Sequence, residues 1–119
     1  MECIFCKIIT GDIPSKLIYD RNEIIAFEDI NPQAPTHLLI VPKKHFENAG
    51  EIAESNPETL GEMFRVAKEL ANGLPGYRTI FNTGAEAGQS VFHAHLHLLG
   101  GRAFGWPPGQ NWNDAQRAN

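Results

Sequence analysis

The chain has 119 residues and a formal charge of −4, enough length for one domain with its own core and too little positive charge to grip a nucleic-acid polymer through many phosphates. Its 42% hydrophobic and 20% charged residues are ordinary for a globular protein, and no apolar run approaches the roughly 18 residues of a membrane span. The two cysteines are too few and too close for a disulfide scaffold, and MECIFCKII lacks the basic start and long apolar stretch of a signal peptide, so a cytoplasmic protein is expected.

In chain order, IFCKII (4–9) fits either a short helix or an extended run. LIYD (17–20) and EIIAFED (23–29), separated by Arg21-Asn22, read as a β-hairpin. HLLIVP (37–42) is a third strand, stopped by Pro42. PKKHFENAGEIAE holds a short helix. The clearest helix follows, with Asn56 as N-cap and Pro57 at its first position. Leu60, Met63, Phe64, Ala67, Leu70 and Ala71 give it one apolar stripe, and Gly73 and Pro75 end it. YRTIFN (77–82) is a fourth strand, GAEAGQS (84–90) a Gly-rich loop and VFHAHLHLL (91–99) a fifth strand. Short turns between neighbouring strands and one long helix predict an α+β fold, an antiparallel sheet of about five strands with a helix packed on one face.

The fifth strand carries His93, His95 and His97 at alternate positions. Side chains on a strand alternate between faces, so Ala94, Leu96 and Leu98 point to the helix and the three histidines to the other side. Three imidazoles in register could solvate a wet face, share a metal, or divide the work of catalysis. A strand rises about 13 Å from residue i to i+4, too far for one ion to collect all three. Neutral imidazole is a nucleophile and a proton carrier near neutral pH. The loop just before the strand can bring backbone N–H groups up to an anion, and Ser90 adds a hydroxyl.

HAHLHLL resembles the signature of the histidine triad proteins. The stretches DINPQAPTHLLIVPKKH (29–45), GQSVFHAHLHLLGGR (88–102) and WPPG (106–109) are similar to the histidine triad nucleotide-binding branch with an N-terminal CxxC. The resemblance covers residues 1 to about 109. It leaves 110–119, with Trp112, as an extension expected to lack fixed structure. It implies a homodimer with a continuous sheet, in which the segment around Trp106 reaches the partner's site.

The resemblance also implies an activity, hydrolysis of purine nucleoside 5′-phosphoramidates through a nucleotidyl-histidine intermediate. On it, His95 is the nucleophile. His97, Ser90 and the backbone of Gly88 and Gln89 hold the phosphate, and His37 supports the site. Asp29 takes the ribose hydroxyls, and Asn82 lies on the phosphate side. Ile4, Phe5, Ile8, Ile13, Phe27 and Ile30 form the apolar wall around the purine. Without the resemblance Asp29 reads as a turn residue and the apolar six as core. Cys3 and Cys6 can be small core residues or half of a zinc site. Two thiolates and two imidazoles make a tetrahedral set, with His45 and His93 as the spare imidazoles and the zinc structural. The rival classes are a nucleotide-binding regulatory protein, a mononuclear zinc hydrolase and a dinucleoside polyphosphate hydrolase.

Overall fold

A computed structural model describes residues 3–109. The ambiguous first segment is a helix, α1 (Ile4–Thr10). Cys3 caps it, its sulfur accepting from the Cys6 N–H, and Gly11 closes it in the left-handed region at φ 86°. Strands β1 (Leu17–Arg21) and β2 (Ile24–Glu28) form the expected hairpin, with Asn22 left-handed at its turn. β3 is Thr36–Pro42. Helices α2 (Ala49–Ser55) and α3 (Pro57–Leu70) are capped by Asn48 and Asn56, whose side chains accept from Glu51 N–H and Thr59 N–H. β4 (Tyr77–Ile80) and β5 (Leu96–Gly100) complete an antiparallel sheet in the order β1-β2-β3-β5-β4.

The fold class is the expected α+β. Three details differ. The fourth strand stops at Ile80 rather than Asn82, and the fifth begins at Leu96 rather than Val91. The β3–β5 ladder ends at the Ile40–Leu96 pair because the next backbone groups bond elsewhere. Ala94 N–H donates to Phe46 O at 2.7 Å, and the Pro42 carbonyl accepts from the His93 ring at 2.8 Å. The sheet also has two cores, not one. Ile24, Ala26, Ile40, Leu96 and Leu98 pack on Met63, Val66 and Ala67 of α3. On the opposite face Ile25, Phe27, Leu39 and Val41 pack on Phe5 of α1. β2 and β3 are therefore covered on both sides, which explains their unbroken apolar runs.

The strand alternation survives the shorter ladder. Ala94, Leu96 and Leu98 enter the α3 core, as expected. Phe64 of the α3 stripe is instead 43% exposed, against Phe81 at the helix margin, while Val66 takes the buried place. Among the described residues, no helix is long and apolar enough to cross a membrane.

Candidate active site and metal cluster

The face that carries α1 gathers the five histidines into two groups. His93 is fully buried beside the cysteines. Its Nε2–H donates to Pro42 O, which leaves Nδ1 as a lone pair 3.3 Å from Cys3 Sγ and 3.5 Å from Cys6 Sγ. His45 Nδ1 lies 3.4 Å from Cys6 Sγ. The four donor atoms of Cys3, Cys6, His45 and His93 all lie within 4.8 Å of one another. Metal bonds of about 2.0–2.3 Å in a tetrahedron place ligand atoms roughly 3.3–3.8 Å apart. The donor set and its sulfur–nitrogen spacings thus fit zinc. Burial, with the adjacent Cys3 sulfur, pushes the Cys6 thiol up to about 11, so a bound cation is what would hold it as thiolate at neutral pH.

The second group lines a cavity of about 450 Å³. His95 Nδ1–H donates to the carbonyl of His93 at 2.8 Å, so Nε2 keeps its lone pair. Phe5 packs edge-on against the ring at 5.1 Å and fixes its plane. The neighbouring histidines form a relay of tautomers. Gln33 N–H donates to His37 Nδ1 at 3.0 Å, which puts the His37 proton on Nε2. That Nε2–H faces His97 Nδ1 at 2.9 Å, with Asp29 Oδ2 farther off at 3.4 Å. His97 Nδ1 is then an acceptor, and its Nε2–H is free to donate to a ligand. Burial, followed by the neighbouring His95 and His37, lowers His97 to about 4, and burial also lowers His37 against the pull of Asp29. Both rings are neutral at pH 7, as the relay requires.

The cavity also collects Ile4, Phe5, Ile8, Phe27, Asp29, Ile30 and Ser90. Phe5 and Phe27 serve core and cavity at once, whereas Ile4 is 49% exposed and Ile30 wholly exposed. An isoleucine left in water at a cavity rim has no packing role there. Ile13, half-buried after α1, is not part of this lining. Asp29 does act as a turn residue, its Oδ1 accepting from Asn31 N–H at 2.8 Å, and it lines the cavity as well.

The Gly-rich loop is arranged differently from the expected cradle. Gly88 N–H already donates to Ala85 O and Gln89 N–H to Gly84 O, closing the loop on itself; of the expected loop donors, Ser90 lines the cavity. Gly88 permits this closure at φ 98°, a conformation costly for other residues. The buried Gln89 side chain holds the loop, accepting from Gly84 N–H and donating to the carbonyls of Glu47 and Val91. Asn82 lies in an adjoining cavity that shares His37 and His97. Trp106 is 83% exposed, and residues 110–119 with Trp112 lie outside the described residues. Gln33, whose N–H sets the relay, carries no sequence signal for that role, since its side chain takes no part in it.

The cavity thus holds a buried imidazole with a free Nε2 next to a second that offers Nε2–H, and the chain that carries them belongs to the histidine triad (HIT) family. The family described as scavenger mRNA decapping enzyme C-terminal binding matches residues 2–104. An uncharacterised HIT-like protein of Synechocystis is 45% identical over 111 residues, covering 91% of this chain and 97% of the relative. A 14 kDa zinc-binding protein of Zea mays is 50% identical over 111 residues, 89% of this chain and 87% of its own. The crystal structure of a HIT family hydrolase from Legionella pneumophila superposes with a TM-score of 0.86 at 49% identity, covering 91% of this chain and all of that one.

Proposed function

We propose that the protein is a hydrolase of purine nucleoside 5′-phosphoramidates and that His95 is its nucleophile. The observation that carries this reading is the His95 Nδ1–H bond to the His93 carbonyl, which aims an unprotonated Nε2 into the cavity. Nε2 attacks phosphorus as the P–N bond breaks, and the departing amine takes up one proton. Water then attacks the phosphorus of nucleotidyl-His95, frees the nucleoside monophosphate and restores the ring. Splitting one displacement into two lowers the barrier to each. His97 Nε2–H and the Ser90 hydroxyl donate to the phosphoryl oxygens, where charge accumulates. The apolar wall of Phe5, Phe27, Ile4 and Ile30 suits a purine, and Asp29 the ribose hydroxyls. The similarity to the HIT family hydrolase of Legionella pneumophila supports the class.

Zinc belongs on Cys3, Cys6, His45 and His93, where it would tie α1 to the segments that follow β3 and precede β5, and the zinc-binding relative from Zea mays supports it. His95 is in neither cluster of metal-capable donors among the described residues, which argues against a zinc hydrolase built on the histidine row. The working unit is a homodimer joined through the outer edge of β4, where Tyr77 and the nearby Phe64 are exposed. The segment around Trp106 then reaches the partner's site. A nucleotide-binding regulator would use the same pocket without turnover. A rapid quench in base, with a nucleoside phosphoramidate radiolabelled on phosphorus, separates the two, because only the enzyme traps label on His95.

A further inference from the structure

Beyond His97, the same face of the sheet carries a second cavity of about 320 Å³. It shares Gln33, His37 and His97 with the first and adds Arg78, Asn82 and Arg102. Among the described residues, no Asp, Glu or Lys lines it. Both guanidiniums lie against the ring of Phe104, Arg78 at 5.0 Å and Arg102 at 4.3 Å from its centre. Their hydrogen-bond acceptors are neutral. Arg78 Nη2 donates to Gly105 O at 3.0 Å, Arg102 Nε to Gln33 O at 3.0 Å and Arg102 Nη1 to Ala103 O at 2.9 Å. Among the described residues, the ion pairs formed involve His37, Lys43 and Arg65, not these two arginines. Among the described residues, then, neither guanidinium meets a carboxylate, and each keeps N–H donors to spare.

We infer that this cavity is a subsite for the leaving group and that it selects one bearing an oxyanion, as in a phosphoramidate whose amine carries a carboxylate. The inference rests on the phosphoramidase reading and names its substrate class. In an in-line displacement the leaving group departs on the side of phosphorus away from His95 Nε2. Gln33, His37 and His97 form the shared wall between the two cavities, and of these His97 offers Nε2–H to the phosphoryl group. A substituent leaving past His97 therefore meets Arg78 and Arg102. The guanidinium fork matches a carboxylate in plane and charge. A phosphate extension of a polyphosphate offers the same chemistry, so the test has an arm for each source.

The test measures kcat/KM for adenosine 5′-phosphoramidates of alanine, with its free carboxylate, and of alanine amide, its neutral isostere, and for diadenosine tetraphosphate. The wild-type protein is compared with Arg78→Gln and Arg78→Lys. The ratio of the carboxylate substrate to the amide should fall about tenfold in Arg78→Gln, the loss of one charge-assisted hydrogen bond, and less in Arg78→Lys. Comparing ratios cancels the difference in basicity between the two amines. A ratio unchanged by both variants would overturn the subsite and leave the phosphoramidase reading standing. No turnover of either phosphoramidate by the wild type would overturn both. Faster cleavage of the tetraphosphate, with its advantage lost in Arg78→Gln, would assign the site to phosphate and overturn the carboxylate.

Discussion

The two ends of the histidine row are built from the same residue at the same spacing, yet they do opposite things. At His93 the ring is fully buried, its Nε2–H is tied to Pro42 O and its lone pair meets two thiols. Four residues on, His97 faces a cavity, its lone pair is tied to His37 and its N–H is free. Which nitrogen carries the proton, and so whether the ring can offer a lone pair to a metal or an N–H to an anion, is set by the neighbour on its other side. His95 sits between them and is oriented by the backbone of the cysteine-lined end, through the carbonyl of His93.

The sharpest way to break the comparison is at the middle. His95→Ala should reduce kcat by roughly 10⁴-fold or more, as expected when a nucleophile is removed, while AMP still binds by calorimetry. Turnover within tenfold of the wild type would remove His95 from the chemistry.

The cysteine-lined end, proposed to hold zinc, should respond in the opposite manner. Elemental analysis should find one zinc per chain in the wild type and none in Cys3→Ala. The melting temperature should fall by several degrees in the variant, while kcat in the folded protein falls far less than in His95→Ala. A metal-free protein with the full melting temperature would rule out a structural metal.

Loop support comes next. Gln89→Ala leaves the Glu47 and Val91 carbonyls without their donor in a buried place, at a cost of about 1–3 kcal/mol in urea unfolding. An effect below about 0.5 kcal/mol would show that water replaces the side chain.

The smallest effect is in pH. His97 and His37 are lowered in the folded state, so the unfolded chain binds more protons than the folded one below the usual histidine value of 6.5. Stability from these rings is complete above about pH 6.5 and is lost as pH falls toward about 4. The melting temperature should decline over that window, and His97→Asn should flatten part of the slope. An identical slope in the variant would mean that His97 does not titrate this way.

The hairpin, β3 and α3 were legible because short-range rules write them: alternation, an Asn cap, Pro57 and a Gly stop. The row from His93 to His97 was legible as a strand face, and reach alone showed that one ion could not collect all three; which histidine takes which role came from the resemblance. The start of β5 was not, since VFHA continues the alternating pattern while its backbone bonds go to Phe46 and to the ring of His93. Helix α1 was left open because seven residues of IFCKIIT carry too little periodicity, and its second function as the cap over a separate core is a tertiary fact. Gln33 could not be found because it acts through its backbone N–H, which every residue but proline possesses. The resemblance supplied roles for Asp29 and Ile30 that composition and spacing assign to a turn and a core; only the exposed side chain of Ile30 separates the two readings.

The central claim is that His95 becomes covalently attached to the nucleotide. It is tested most directly by mixing the protein with adenosine 5′-phosphoramidate labelled with ³²P, quenching in base to preserve the acid-labile phosphorus–nitrogen bond, and mapping the labelled peptide. The account predicts label on the peptide containing His95, formed at or faster than the rate of turnover and absent from His95→Ala. Turnover with no label at any time within the first cycle, or label that persists in His95→Ala, would contradict it.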